Sequence, residues 1–463
     1  MNITYLAAAL TIAVLGALNL VLLIVMTDRG APLRAGLRRS LERLTGSPDL
    51  HWLRWWHVAA VVTGGFLVVL SFDFANGLYA CTRPGSPTDI GGFLAQGQAL
   101  WAGTNPFLVT SCGGTIPEPD GLAAVLINGL GSVGGLPGIA AVWAIVAIAL
   151  VPLTWYVAGP ERRYLTLVVA TSPLYFPLVS SQIDGASNAL VPLAVLLALY
   201  LASRRELLAT GLAGFLATQR FPTLFPVLAL SGSLRRRWAA AFALIAVFAA
   251  GTGLSYILWG SVFVNTVFLN EIGRRAFSLN LWGILLLENA LPAGDALPLA
   301  QALVTLVLVG VVFFTVKSPL RAAAITLTGV ALLDQFLSFN ILIWLLPAAL
   351  VGARPRWWLW GIAIVGSVDY NYAYTVLVST RGILWPAAVL DGLLTVLLLG
   401  LFIDLWRSSD PPASPGVPAS SSPSPDPTRI MGTAGVSPAD EGDSPPVPPN
   451  RASPPLPVSD VAR

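Results

Sequence analysis

Long apolar runs separated by short arginine-rich loops dominate this chain of 463 residues. Residues 3–26 already form an apolar run of the length that crosses a bilayer as a helix. Only 11% of the residues are charged, against about 25% in an ordinary soluble domain, and the mean hydropathy is +0.74. Because a bilayer core offers no water to the backbone, such runs must satisfy their peptide groups internally. The sequence therefore predicts an all-α, polytopic transmembrane helix bundle of about 11 to 13 helices.

The arginine clusters indicate which side of the membrane each loop faces. They recur between alternate apolar runs, in the loops 28–54, 161–163, 235–237 and 354–356. Short basic loops resist translocation, so these four are predicted to be cytoplasmic. The loops 73–112 and 259–296 then face the outside of the cell. The clusters are a topology signal, and with a net charge of only +3 they give no support to a nucleic-acid partner.

Three regions follow from this pattern. Residues 1–55 are predicted to be an extra N-terminal transmembrane helix and a basic, amphipathic cytoplasmic segment. Residues 56–407 are predicted to form the main membrane domain. Its predicted crossings include 136–158, 341–352 and 384–406, and two short or tilted helices at 207–219 and 222–233 are predicted to form a hairpin. Residues 408–463 are rich in Pro and Ser with almost no large apolar residues, which predicts a disordered cytoplasmic tail. Within the main domain, residues 119–132 are too short to span the bilayer and are predicted to form an interfacial or re-entrant helix. Residues 279–291 are predicted to form an interfacial helix.

The loop from Asp73 to Cys112 is unlike the rest of the chain, because it is polar, rich in Gly and Pro, and holds both cysteines. If the loop is outside the cell, Cys81 and Cys112 are expected to form a disulfide. Two free structural cysteines are the alternative. Asp89, inside this loop, is a carboxylate at the mouth of a helix bundle and is the first candidate for chemistry; a solvated loop carboxylate is the alternative.

Four segments resemble the polyprenyl-phosphate-sugar-dependent membrane glycosyltransferases of GT-C type. Residues Asp89–Phe107 are similar to the pattern D-x-x-x-Y/F…A-L-x-x-G-x-N-P-Y/F, and Ser181–Gly185 is similar to a short outer turn, G-Q-x-N/D. Gly211–Pro226 resembles a helical hairpin with a basic residue near its tip, and Ser278–Gly283 resembles an N-x-S-x-x-G segment. The resemblance covers roughly residues 56–406, and its closest branch is the bacterial α-mannosyltransferases, glycosyltransferase family 87.

The resemblance implies a membrane enzyme that transfers a hexose, mannose in that branch, from a polyprenyl phosphate to a lipid or glycan acceptor outside the cell. It places the catalytic base at Asp89. Asp73 and Asp184, near predicted outer helix ends, are secondary acid candidates, and the alternative for Asp73 is that it is only the polar end of its helix. Departure of the lipid phosphate requires cationic stabilisation. The candidate cations are Arg220, Arg274 and Arg275, each of which is otherwise an interfacial, snorkelling arginine.

This chain departs from the pattern at two points. Gln219-Arg220 stands where the family has Lys, and Ser338-Phe339-Asn340 lacks a His found in many relatives. No nucleotide-binding fingerprint occurs, which favours a lipid-linked donor. No metal site is predicted, because His51 and His57 lie beside the first basic cluster, and the need for a divalent metal stays open.

Two other functions fit a polytopic membrane protein. One is a transporter or flippase of lipid-linked glycans, and the other is a non-catalytic scaffold of an envelope assembly complex. Transporters typically carry repeats and polar or broken helices at mid-membrane. Here the polar residues gather at the predicted outer ends of the helices, which favours an enzyme.

Overall fold

The structure is a computed structural model. It describes residues 32, 35–36, 54–60, 63–64, 89–109, 121–158, 186–269, 296–333, 339–352, 357–372 and 385–408. The chain divides into two compact units, Met1–Ser414 and Pro415–Arg463, and every described residue lies in the first. Most of the predicted N-terminal region and all of the predicted tail after Ser408 are outside the described residues.

The described residues form helices and no strands. Their bounds are α1 Asp89–Trp101, α2 Leu122–Ser132, α3 Gly135–Ala158, α4 Leu190–Ala202, α5 Glu206–Ala217, α6 Leu224–Ser231, α7 Arg237–Val264, α8 Ala296–Thr315, α9 Pro319–Leu333, α10 Leu346–Ala349, α11 Trp357–Tyr372 and α12 Trp385–Arg407. Short 3₁₀ turns lie at Ala186–Ala189, Phe221–Thr223 and Phe339–Leu345, and a π turn at Asn265–Leu269 extends α7. The predicted all-α membrane protein is confirmed.

Three of the described helices are long and apolar enough to span a membrane. They cover Gly135–Ala158, Arg237–Phe268 and Ala388–Arg407, and only 22% to 33% of their most apolar windows is buried within the protein. Many of their apolar side chains are exposed, among them Phe242 and Ile257 on α7. Large exposed apolar faces are unfavourable in water, so these helices meet lipid.

The core is built around α9 and the segment after it. Ten consecutive α9 residues, Ala322–Ala331, are buried, so this helix is surrounded by protein on all sides. Every residue from 341 to 351 is buried as well. The expected crossing helix at 341–352 is wrong: the chain forms the 3₁₀ turn Phe339–Leu345 and the single turn α10. Pro347 has no N–H to continue the turn as a helix and stands instead at the start of α10.

The helices α5 and α6 form the hairpin that the sequence predicts at 207–219 and 222–233. Proline cannot continue a helix, and Pro222 stands in the 3₁₀ turn that separates the two arms. At the open end, the Glu206 carboxylate accepts hydrogen bonds from the backbone N–H groups of Arg235 (3.2 Å) and Arg236 (2.9 Å), just before α7. The hairpin therefore places its basic residues at one end and Arg220 at the other.

Candidate functional site

Helix α1 begins at Asp89, the first residue of the segment that resembles the glycosyltransferase pattern. The side chains of Ile90 and Phe93 are buried and hold one face of the helix against the protein. Gly97 lets α1 approach α2 closely, because a Cβ atom at this position would lie 2.2 Å from the carbonyl oxygen of Asn128. The position of α1 is thus fixed by close backbone contact rather than by loose apolar packing.

A glycine ends α1 in a defined way. Gly103 adopts φ +67°, a conformation that favours glycine. Its N–H donates to the carbonyl of Leu100 (3.2 Å), and the N–H of Thr104 donates to that of Ala99 (2.9 Å). These two bonds form the Schellman motif, which satisfies the last carbonyls of a helix. The glycine of the G-x-N-P-F pattern is therefore a helix stop.

Asn105 joins this helix end to a distant part of the chain. Its Oδ1 accepts a hydrogen bond from the N–H of Phe107 (2.9 Å), and its Nδ2 donates to the carbonyl of Trp259 on α7 (3.3 Å). The next residue, Gly260, has φ 64° and ψ −150°, so the helical conformation of α7 breaks there. A break of this kind interrupts the regular hydrogen-bond pattern, and Asn105 satisfies a carbonyl beside it. We call residues 105–107 and 259–260 the Asn105 corner.

Aromatic rings continue from the Asn105 corner towards the hairpin tip. Phe107 packs edge-on against Trp259 (5.3 Å between ring centroids) and Phe263 (5.4 Å). Phe263 contacts Phe268 (5.8 Å), which in turn lies 6.1 Å from Phe221. These are favourable centroid separations for aromatic pairs. The segment that begins at Asp89 is therefore linked by packed rings to the residue after Arg220.

A buried polar network joins α1, α2 and α3. The Asn128 amide donates to the Gln96 Oε1 (3.0 Å), and the Trp143 indole N–H donates to the Asn128 Oδ1 (2.9 Å). All three side chains are fully buried. In a low-dielectric interior such groups are costly unless they are paired, so the network specifies one arrangement of the three helices.

Arg220 lies in the hairpin turn and contacts the segment that follows the Ser181–Gly185 motif. Its Nη1 donates a hydrogen bond to the Oδ1 of Asn188 (3.1 Å), which is only 4% exposed. The Arg220 side chain itself is partly exposed. A guanidinium oriented by a buried amide, and still accessible, has the chemistry required to bind a phosphate or carboxylate.

The start of α2 is docked on the same turn. The N–H of Gly121 donates to the carbonyl of Gln219 (2.8 Å), and the N–H of Ala123 donates to the Thr218 hydroxyl (3.3 Å). A Cβ atom on Gly121 would lie 1.6 Å from the Thr218 carbonyl oxygen, so only glycine fits. The hairpin turn therefore fixes the start of α2 through these hydrogen bonds. The later part of α2 contacts α1 through Asn128.

A buried hydroxyl lies next to this turn. Thr223 is fully buried, and its Oγ1 has no hydrogen-bond partner among the described residues. An unsatisfied buried hydroxyl costs about 1–3 kcal/mol. A ligand oxygen or a water molecule at this point would recover that free energy.

The structure brings Arg220 of the predicted hairpin into contact with Asn188, and the predicted Ser181–Gly185 turn itself lies outside the described residues. It places Asp89 at the first residue of α1. The remaining candidates lie outside the described residues: Asp73, Asp184, Arg274, Arg275, Cys81 and Cys112. The described part of the chain contains no group of three His, Cys, Asp or Glu residues that could hold a metal ion.

Two kinds of functional candidate in the structure were not predicted from the sequence. Asn128 and Asn188 were not singled out, because a lone Asn within an apolar stretch gives no sign of its partner. Asp391 was also missed, although it is the first acidic residue of α12 and is only 3% exposed. An ionisable residue inside a candidate membrane span is energetically costly and is usually functional or paired. The position of Asp391 within such an apolar run was therefore the sequence signal that could have identified it.

The family model of glycosyltransferase family 87 matches residues 122–339. This part of the chain is similar to glycosyltransferase family 87. The match begins at α2 and includes both Asn188 and Arg220, so the contact between them lies within the region. Asp89 and α1 precede it. A search of curated proteins found no match.

Proposed function

We propose that this membrane glycosyltransferase moves a hexose, mannose as the first candidate, from a polyprenyl-phosphate donor to a lipid or glycan acceptor on the extracytoplasmic face. The family 87 match supports the glycosyltransferase activity. The observation that carries the proposal is the Arg220 guanidinium, held by Asn188 at the hairpin tip and partly exposed. The arginine clusters of the alternate loops favour the extracytoplasmic face.

The proposed reaction is a single displacement. Asp89 removes the proton from the acceptor hydroxyl, and the resulting oxygen nucleophile attacks the anomeric carbon of the donor sugar. The bond between that carbon and the phosphate oxygen breaks, and the polyprenyl phosphate leaves with the electron pair. Arg220 stabilises the phosphate charge, with Arg274 and Arg275 as further candidate cations. No cofactor is required for this balance of atoms and charges, and a divalent metal is not part of the proposal.

The phosphate role is tested with variants of Arg220 in purified, detergent-solubilised protein. Arg220→Ala loses a hydrogen bond to a charged group, of about 1.5–3 kcal/mol, so kcat/KM for a labelled polyprenyl-phosphate mannose should fall about 10- to 150-fold. Arg220→Lys keeps the charge but not the planar fork and should recover part of the loss. Arg204→Ala, which removes an exposed arginine at the other end of the hairpin, is the matched control.

The base role is tested with Asp89→Asn, which keeps the size of the side chain but cannot accept a proton at neutral pH. Loss of general-base assistance typically lowers kcat about 10²- to 10⁴-fold, while donor binding should persist. If this variant turns over at the wild-type rate, Asp73 and Asp184 become the candidates. If all three acids can be neutralised without effect, the enzyme hypothesis fails, and a transporter or scaffold becomes the better reading.

A further inference from the structure

We propose that Asn105 is a positioning residue, whose side chain couples the helix that begins at Asp89 to the end of α7 and, through it, to the Arg220 turn. The proposal rests on the proposed function for its catalytic consequence. Its structural basis is the pair of hydrogen bonds that Asn105 makes, one local to Phe107 and one to Trp259, which lies 154 residues further along the chain.

The geometry of the corner explains why this residue must be an Asn. The side chain needs an acceptor for a backbone N–H two residues ahead and a donor for a carbonyl, both on one short stem. An Asn amide supplies the two together, whereas an aspartate at neutral pH supplies only acceptors. Asn105→Asp would keep the local bond from the Phe107 N–H. It would also place a carboxylate oxygen against the Trp259 carbonyl oxygen, and two acceptors cannot form a hydrogen bond.

The corner is connected to both candidate catalytic groups. On one side it follows the Schellman stop of α1, which begins at Asp89. On the other side, the rings of Phe107, Phe263 and Phe268 pack in series up to Phe221, the neighbour of Arg220. The chain also leaves this region at Leu269 to enter the segment that carries Arg274 and Arg275. A shift of the corner would therefore move the proposed base relative to the proposed phosphate-binding arginine.

Gly260 provides an independent way to disturb the same corner. Its backbone conformation is accessible only to glycine without strain, yet a Cβ atom there would meet nothing within 4 Å. Gly260→Ala therefore changes backbone preference without a clash and should straighten α7 towards a regular helix. The Trp259 carbonyl is then no longer presented to Asn105. Gly253, also on α7 and also in open space, gives the matched control Gly253→Ala.

The experiment compares Asn105→Asp, Gly260→Ala and the double variant, with Gly253→Ala and Thr104→Val as controls. Among the described residues, the Thr104 side chain makes a single hydrogen bond, a local one to the Ala99 carbonyl (3.1 Å). Sugar transfer is measured with a labelled polyprenyl-phosphate mannose, and kcat is expressed per folded molecule. We expect Asn105→Asp and Gly260→Ala each to lower kcat on the order of 10- to 100-fold with little change in KM, since small misplacements of reacting groups act on kcat.

The double variant should be no slower than the slower single variant, because both changes break one contact. Both controls should keep the wild-type kcat. Hydrogen exchange of the same proteins gives a readout that is independent of activity. Asn105→Asp should increase exchange in peptides from 89–109 and from 259–269 together, whereas Thr104→Val should affect only the first.

The outcomes separate this proposal from the proposed function. An active wild type with an Asn105→Asp variant of unchanged kcat, or increased exchange confined to residues 89–109, would overturn the positioning role. A wild type that transfers no sugar from the donor overturns the proposed function instead, and the exchange pattern then decides whether Asn105 couples the two segments.

Discussion

Replacing Asn128 with Leu tests whether the buried polar network holds α1, α2 and α3 together. Leu has the same branched arrangement of side-chain heavy atoms as Asn, with a larger volume, but can make no hydrogen bond. The substitution removes the acceptor of the Trp143 indole N–H and the donor to Gln96, in a place where all three side chains are fully buried. Water cannot replace the lost partners without opening the contact between the helices.

The magnitude follows from the two bonds. A buried N–H without an acceptor costs about 1–3 kcal/mol, and a bond between neutral groups contributes about 0.5–1.5 kcal/mol. Asn128→Leu should therefore lower the free energy of unfolding by about 2–4 kcal/mol. Trp143→Phe keeps an aromatic ring beside Phe93, whose centroid lies 5.4 Å away, and leaves the Asn128 carbonyl without its donor, at a cost of about 1–3 kcal/mol.

The double variant is the informative measurement. With both partners apolar, no orphaned group remains between positions 128 and 143, so the two losses should not add. Interhelical hydrogen bonds in membrane proteins show coupling free energies of about 0.6 kcal/mol on average and up to about 1.7 kcal/mol, and we expect a value in that range. The assay is reversible unfolding of the purified protein in mixed micelles with increasing SDS. Leu130→Ala, on the exposed face of α2, is the control. Strict additivity of the two single variants would refute the network.

Substitutions at three further positions, with their controls, have defined outcomes. Gly121→Ala places a Cβ atom 1.6 Å from a carbonyl oxygen and should lower the unfolding free energy by about 3 kcal/mol or more, whereas Gly253→Ala in open space should not. Thr223→Val removes a buried hydroxyl with no partner among the described residues, so the Tm of the ligand-free protein should rise because the cost of the unsatisfied group is removed, while donor KM also rises because the hydroxyl can no longer meet a donor oxygen. Thr218→Val, which breaks the bond to Ala123, should instead lower the Tm. For the buried Asp391, Asp391→Asn should lower the Tm less than Asp391→Leu. A buried carboxylate is tolerated where neighbouring groups form hydrogen bonds with it, and an amide can keep some of those bonds whereas Leu keeps none. Thermal unfolding in detergent measures the stability effects, and sugar transfer measures the KM.

The sequence predicted those parts of the fold that depend on local chemistry. Apolar runs gave α3 and α12 to within one or two residues, and Pro222 between two short runs gave the hairpin. The segment 341–352 was predicted wrongly as a crossing helix, because hydropathy alone does not distinguish a lipid-facing helix from a chain buried within the protein. Residues 341–351 of this segment are all buried within the protein, so apolar composition reports burial and not a membrane span.

The candidate site was predictable only where a motif carries its own signal. Arg220 was found because a basic residue follows a short apolar arm and precedes a proline. Its partner Asn188 could not be found, since the two are 32 residues apart and the contact depends on how the helices pack. Asn105 belonged to a recognised pattern, but its bond to Trp259 joins positions separated by 154 residues. A pattern names such a residue without giving its physical role.

The length of the hairpin arm has a consequence for the lipid substrate. The arm α5 has twelve residues, which corresponds to about 18 Å, whereas the hydrocarbon layer of a bilayer is roughly 30 Å thick. With the arginines at the open end of the hairpin anchored at one surface, Arg220 lies short of the opposite surface. A lipid phosphate that reaches this guanidinium must then descend below the level of its neighbouring headgroups, or the bilayer must be thinner there. If Arg220 binds the donor phosphate as proposed, the number of residues in α5 sets the depth at which this phosphate meets the protein, and a one-turn insertion would change that depth by about 5 Å.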